Sequence, residues 1–331
     1  MGAKDVIVTG GAGYIGSHTC KALAAAGYNP VTYDNLSLGN RWAVRWGPLE
    51  IGDIRDRARL AEVFRHYRPV GVLHFAALAL VGESVLAPAR YYDLNVHGAQ
   101  CVFDTARFFD VGAVVFSSTC AVYGVPARLP ITEDTPQVPI NPYGASKLMA
   151  ERLLRDYETA YGLRHVALRY FNAAGADPGG EIGERREVET HLIPLAVEAC
   201  LGLGPALKIL GADHPTADGT AVRDYIHVTD LAEAHAAALA LLLRGEGSEV
   251  LNLGTGRGVS VREVIAAIEL AVGQPVPIVA APRRQGDPPC LVADATRAQK
   301  LFGPELVMRS NLGSIIDTAL RWRRDNRLSA R

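Results

Sequence analysis

The chain has 331 residues, of which 49% are hydrophobic and 21% charged, with a net charge of −1. This balance gives no electrostatic basis for binding nucleic acid or an anionic membrane, and the length is enough for a large core or two lobes. The five cysteines contain no CxxC pair and the nine histidines no HxxxH or HExxH pattern. Neither a disulfide framework nor a metal site is expected, and a reducing cytoplasm fits. The first apolar run is too short for a secretory signal, and no stretch is long enough to span a bilayer.

Val6-Ile7-Val8-Thr9 is a β-branched run that predicts a buried strand. It leads into Gly10-Gly11-Ala12-Gly13-Tyr14-Ile15-Gly16, and residues 17–26 have helical spacing with Gly27 as a stop. Strand, glycine loop and helix in this order suit a dinucleotide. Glycines let the backbone turn tightly against a pyrophosphate whose charge sits at the helix N-terminus. A second strand, residues 30–33, ends at Asp34, 18 residues after Gly16. That is where an acceptor for the ribose 2′-hydroxyl is expected, and no Arg or Lys follows until Arg41. The pattern points to NAD rather than NADP.

Further strands are predicted at 49–51, 70–75, 113–117 and 165–170, and helices at 56–67, 88–108 and 143–161. Such alternation predicts an α/β fold with a doubly wound parallel Rossmann sheet. Asp53, Ala76, Thr119 and Asn172 follow strand ends, so they are expected to converge on the crevice where ligands bind such sheets. Tyr143 and Lys147 are four residues apart after Asn141 and Pro142, a good N-cap and a good first helical residue. Phenol and ammonium then share one helix face. A phenol titrates near ~10, and a nearby cation makes it usable for proton transfer.

The second half reads as loops at 173–187, 213–220 and 281–289, strands at 207–210, 222–226, 250–253 and 276–279, and helices at 191–202, 229–244, 260–273 and 311–325. We divide the chain into an NAD-binding domain at 1–172 and a smaller α/β substrate-binding lobe at 173–331. Residues 250–253 are free to return to the main sheet, so segments of the two can interleave.

Taken together the motifs resemble the extended short-chain dehydrogenase/reductase family and, within it, the UDP-glucose 4-epimerases. The landmarks run from Val6 to about Trp322. They include the glycine loop, Tyr33-Asp34-Asn35-Leu36, Gly52-Asp53-Ile54-Arg55, His74-Phe75-Ala76-Ala77, Val81-Gly82-Glu83-Ser84, Phe116-Ser117-Ser118-Thr119, Tyr143-Gly144-Ala145-Ser146-Lys147, Arg169-Tyr170-Phe171-Asn172, Arg223-Asp224-Tyr225-Ile226-His227 and Arg283-Arg284-Gln285-Gly286-Asp287. The resemblance implies tightly held NAD, a UDP-sugar substrate and a homodimer built on helices of the first lobe.

It also implies a mechanism and a set of roles. The C4 hydrogen of a sugar is not acidic, so inversion runs through a transient 4-keto sugar, with hydride lent to NAD and returned to the other face. Tyr143 is the implied base and later the acid, and Lys147 lowers its pKa and binds the nicotinamide ribose. Thr119 hydrogen-bonds the sugar oxygen, with Ser118 as the rival for that role. The implied cofactor contacts are Gly10, Gly13, Tyr14, Ile15, Gly16, Asp34, Asn35, Leu36, Asp53, Ile54, Phe75, Ala76, Ala77, Asn95 and Phe171, besides Tyr143 and Lys147. On the substrate side, Arg223 and Arg284 are the implied diphosphate ligands. Asn172, Leu192 and Asp287 complete the UDP site, with Thr119, Tyr143 and Leu291 at the sugar.

Three departures from the family pattern matter. Ala79 stands where many epimerases have Lys, His191 where some have Asn, and Leu291 where the gate varies between bulky and small. The gate leaves UDP-N-acetylhexosamine or UDP-pentose pairs open beside UDP-glucose/UDP-galactose. A dehydratase would carry Asp-Glu directly after the threonine, where this chain has Cys120 and Ala121. A net reductase would need free exchange of its cofactor, and a non-catalytic NAD-sensing regulator could lose Tyr143 or Lys147, both of which are present.

Overall fold

The computed structural model describes residues 4–283, 287–303, 306 and 309–325. In chain order its first half runs β1 (Lys4–Thr9), α1 (Tyr14–Ala25), β2 (Tyr28–Asp34), β3 (Leu49–Ile51), α2 (Arg57–Tyr67), β4 (Gly71–His74), α3 (Val81–Leu86), α4 (Pro88–Tyr92), a π-helical turn (Asp93–Gly98), α5 (Ala99–Phe108), β5 (Ala113–Thr119), α6 (Pro142–Tyr161) and β6 (Arg164–Tyr170). The second half follows with β7 (Asn172–Ala174), α7 (Leu192–Cys200), β8 (Leu207–Leu210), β9 (Val222–His227), α8 (Val228–Leu243), β10 (Glu249–Leu253), β11 (Gly258–Ser260), α9 (Val261–Val272), β12 (Ile278–Ala281), β13 (Cys290–Leu291), α10 (Thr296–Phe302) and α11 (Leu312–Asp325).

Seven strands form one sheet in the order β10-β6-β5-β4-β1-β2-β3, and every pairing in it is parallel. The near-continuous apolar runs in β1 and β5 follow from this, because helices cover both faces of a parallel sheet. One face packs Val6, Val8, Leu73, Val115 and Leu168 against α1 and α8. The other packs Ile7, Val72, Val114 and Phe116 against α2, α5 and α6. Strand alternation therefore assigns each residue of β5 to a particular helix layer.

β10 does join the main sheet, pairing with β6 from Glu249↔Val166 to Leu253↔Tyr170. α8 lies against it, so residues 228–253 belong spatially with the first layer. The remaining second-half strands make a small sheet around β9 and a two-stranded β8–β12 ladder. These pack with α7, α9 and α11 around a separate core that includes Ile193, Val264, Ile268 and Ile315.

Several expected boundaries move. The helix expected over 88–108 is interrupted at Asp93–Gly98, where the chain takes the wider π turn around the buried Asn95; such turns often accompany functional positions. The strand expected at 276–279 forms at 278–281 instead, because Val276 turns into the core of the second lobe. The short β7, β11 and β13 are held by pairing with β9, a tertiary effect that a three-residue pattern does not announce. Among the described residues no helix is long and apolar enough to cross a membrane.

Gly10 has φ 73°, and a Cβ there would fall 2.6 Å from the Ala76 amide nitrogen. Gly10→Ala is expected to cost more than about 1 kcal/mol from the left-handed backbone alone, with the overlap against β4 added. Calorimetric unfolding of the variant beside the parent checks this.

Candidate active site

The loops after β1, β2 and β4 meet beyond the carboxyl ends of those strands. The turn after β1 is closed by the Gly13 amide on the Gly10 carbonyl at 3.0 Å. α1 begins at Tyr14 with no side-chain cap from Gly13, so the first amides of a twelve-residue helix are available to an anion. Tyr14 turns its hydroxyl away to the Gly175 carbonyl (2.6 Å), leaving the backbone at 13–15 to face the loop.

Asp34 ends β2. Its carboxylate oxygens accept from the amides of Ala12 (3.1 Å) and Leu36 (2.8 Å), and Leu36 adopts φ 58° in that turn. A Cβ at Gly39 would lie 2.9 Å from one Asp34 oxygen, so only glycine lets the following loop fold this closely over the acid. Burial raises the Asp34 pKa and the two amides work against it. A nearly buried acceptor of this kind suits a ribose hydroxyl. The residues fit NAD.

Asp53 bonds Arg55 through Nε (2.8 Å) and Nη2 (2.7 Å) and receives Asn35 Nδ2 at 3.1 Å. The Arg55 guanidinium is the main reason its carboxyl sits at about 2. Ile54 is buried, and the Phe75 ring packs on His235 of α8 at 4.6 Å, so both offer backbone rather than side chain to a ligand. The Asn95 amide is fully engaged. Its Oδ1 accepts from the Leu78 amide (2.9 Å), and its Nδ2 donates to the Leu78 carbonyl (2.9 Å) and to Ser146 Oγ (3.0 Å). It thereby pins the loop carrying Ala76 and Ala77 to the first turns of α6.

Asn141 caps α6 by accepting from the Gly144 amide at 2.9 Å, with Pro142 at the first helical position. Tyr143 and Lys147 are both buried on that helix. Lys147 Nζ donates to the Ser117 carbonyl (2.9 Å) and lies 4.9 Å from the centre of the Phe116 ring. The lowering of the phenol expected from this lysine is not seen. Burial pushes Tyr143 well above the ordinary phenol value, Tyr170 pushes the same way, and Thr119 opposes them. Burial also brings Lys147 down to about 7, with Glu151 opposing. Desolvation dominates at both groups because it disfavours both charged forms at once.

Strand alternation separates Thr119 from Ser118. Ser118 faces the α6 layer and donates to Glu151 Oε1 at 2.5 Å, so its hydroxyl is spent in the core. Thr119 accepts from the Ala121 amide (3.1 Å) and opposes the upward shift of the Tyr143 phenol. A hydroxyl has one donor and two acceptor sites, so it can cap the turn and serve the phenol together.

Phe171 and Leu291 share one buried cluster with Cys120, Tyr123 and Ile131. Asn172 opens β7 and pairs with Tyr225, and Leu192 is the first residue of α7. Arg223 is bonded to Asp287 and donates to the carbonyls of Val222 and Pro288, each at 2.7 Å. Two residues expected to hold different parts of one ligand are thus brought together. Arg284 lies outside the described residues. Glu184, Glu189 and His191 bring potential ligand atoms within 4.8 Å of one another. The carboxylates there are already met by Arg186 (2.9 Å), Arg323 (3.3 Å) and the His191 ring (2.7 Å).

Residues 6–254 match the NAD dependent epimerase/dehydratase family. The chain belongs to that family. Within this epimerase/dehydratase family it is 52% identical over 322 residues to the UDP-glucose 4-epimerase of Rhizobium leguminosarum bv. trifolii, covering 97% of this chain and 98% of the relative. Its fold is similar to the crystal structure of UDP-glucose 4-epimerase from Brucella ovis in complex with NAD. The TM-score is 0.93 at 54% identity, with 96% and 98% of the two chains covered. It is similar as well to UDP-glucose-4-epimerase from Stenotrophomonas maltophila with bound NAD and formylated UDP-arabinopyranose. That TM-score is 0.94 at 39% identity, over 99% and 100%.

Sequence reasoning named Ser117, Arg169 and Tyr170 only as landmarks, without a role, and did not single out Glu151. The Tyr170 hydroxyl is 2.6 Å from Ser117 Oγ, and the Ser117 carbonyl in turn holds Lys147. The alternation within Phe116-Ser117-Ser118-Thr119 carried that signal, and Glu151 repeats the four-residue spacing of Tyr143 and Lys147.

Lys147 titrates near 7 when folded, against an ordinary 10.5. Between those values the unfolded chain binds more protons than the folded one, so stability rises with pH there. Denaturant unfolding of the cofactor-free protein from pH 7 to 10 is expected to show this rise, up to about 1.4 kcal/mol per pH unit. Lys147→Met is expected to flatten it.

Proposed function

We propose that the chain interconverts UDP-glucose and UDP-galactose by NAD-dependent 4-epimerisation through a 4-keto sugar. The observation that carries this reading is the meeting of Thr119, Tyr143 and Lys147 at the carboxyl end of β5, beside a glycine loop and an acid suited to NAD. The residues after Thr119 favour epimerisation over dehydration. The Cys120 thiol is raised by burial to about 12 and Ala121 has no titratable group, so neither can move protons at C5 and C6 of a sugar.

NAD, when bound, would supply the acceptor and donor for the C4 hydride. The protein holds the sugar and moves the proton. Tyr143 takes the 4-hydroxyl proton and later returns it. Lys147, on the same helix face, is in this reading the cation that works against the burial which raises the phenol. Thr119, already beside the phenol, hydrogen-bonds the same sugar oxygen and keeps it in line. Arg223 is assigned to the diphosphate, where a guanidinium presents paired donors to phosphate oxygens, and the resemblance assigns Arg284 the same role. Asp287 accepts from the uridine ribose and leaves Arg223 free to turn to the ligand. Asn172 and Leu192 line the uridine side, and Leu291 stands over the sugar with Phe171.

The active form in this reading is a homodimer. Tyr92 of α4, Phe108 of α5, and Met149 and Tyr161 of α6 all expose apolar surface on neighbouring helices of the first layer, as a helical pairing surface requires. The five free thiols, four of them buried, fit a reducing cytoplasm, and the substrate pair fits galactose metabolism.

Purified protein incubated with UDP-galactose, without added NAD, is expected to yield UDP-glucose on chromatography. Tyr143→Phe is expected to lose about 10²–10⁴-fold in kcat while retaining its bound nucleotide; near-normal turnover would remove Tyr143 as the base. Leu291→Tyr is expected to suppress turnover of UDP-N-acetylgalactosamine and to spare UDP-galactose. Equal loss on both sugars rejects Leu291 as the gate.

A further inference from the structure

Glu151 follows Lys147 by four residues, as Lys147 follows Tyr143, so all three share one stripe of α6. Three consecutive residues of β5 meet that stripe. Thr119 opposes the upward shift of the Tyr143 phenol, the Ser117 carbonyl accepts from Lys147 at 2.9 Å, and Ser118 donates to Glu151 at 2.5 Å. Glu151 is 2% exposed. Arg169 of β6 clamps it in a two-pronged pair, Nε to Oε1 at 2.9 Å and Nη2 to Oε2 at 2.6 Å. Arg169 is itself fixed by the Tyr123 hydroxyl at 2.9 Å, and that hydroxyl donates to Asn252 of β10 at 2.7 Å.

The other titratable groups around Lys147 carry no charge near neutral pH. His74 on β4, which Lys147 disfavours further, is driven by burial to about 3. Tyr170 on β6 and Cys120 after β5 are each raised by burial to about 12, and Tyr143 lies above the ordinary phenol range. Among the described residues the one carboxylate acting on the lysine is Glu151, with Arg169 beyond it.

We propose that Glu151 is a positioning residue for the reaction: held rigid by Arg169 and Ser118, it is the counter-charge that keeps Lys147 an ammonium beneath Tyr143. This rests on the reading of Tyr143 and Lys147 as the proton-transfer pair, which the parent enzyme's own turnover of UDP-galactose tests separately.

The experiment is the pH dependence of kcat for the NAD-loaded enzyme and for two variants, with bound nucleotide measured in each. Glu151→Gln keeps the shape and removes the charge. Glu151→Gln combined with Arg169→Met removes both charges, so that no bare guanidinium is left to unfold the core. The alkaline limb of kcat is expected to move to lower pH by about one unit in Glu151→Gln, and in the same direction by less in the double variant. A fall in kcat by one factor at every pH with the limb in place, or a profile like the parent's, overturns the proposal.

Discussion

The placement of one buried ammonium organises this molecule's active end. Lys147 is buried, and its partners are a carbonyl, an aromatic face and, one turn further along α6, a carboxylate. Taking such a charge out of water is expensive unless its surroundings answer it. The neutral phenols and imidazole around it are kept neutral by the same dryness. The site therefore stores one titratable positive charge among groups that do not compete for the proton, and this is what a phenol near pH 7 needs from a neighbour.

The sheet makes that arrangement possible. β5 lies inside the parallel sheet, between β6 and β4, with its residues divided between two helix layers. Thr119 can face the crevice while Ser118 faces the core because neighbouring strand residues point opposite ways. The glycine loop two strands away and the Asp34 turn are built from backbone that only glycine, or a strained Leu36, can follow. Chemistry and cofactor site are joined by Asn95, which ties the β4 loop to Ser146 on α6.

Much of this was legible from residue types at fixed spacing. The strand–glycine–helix start, Asp34, the Asn141–Pro142 helix entry and the Tyr143–Lys147 pair are local patterns, and local patterns survive in a sequence. Relations between distant segments do not. Asp287 on Arg223, Arg169 on Glu151 and Tyr170 on Ser117 join residues that only the folded chain brings together. The roles of Asn95 and Phe75 were also hidden. Nothing local says that an amide will be consumed by the loop after β4, or that a ring will turn inward onto His235. Desolvation was likewise invisible, and it reversed the expected sense of the effect on Tyr143.

The late return of the chain to the main sheet has a consequence during synthesis. β6 waits for β10, about eighty residues further on, and the apolar face of α1 waits for α8. Until residue 253 has left the ribosome, β6 presents an open ladder edge above an uncovered apolar layer, the kind of surface that recruits other chains. A fragment stopped at residue 172 keeps the nucleotide loop, Tyr143 and Lys147, yet it lacks the strand and helix that close that edge. Aggregation of nascent or truncated chains through that uncovered edge and face is the hazard this topology carries.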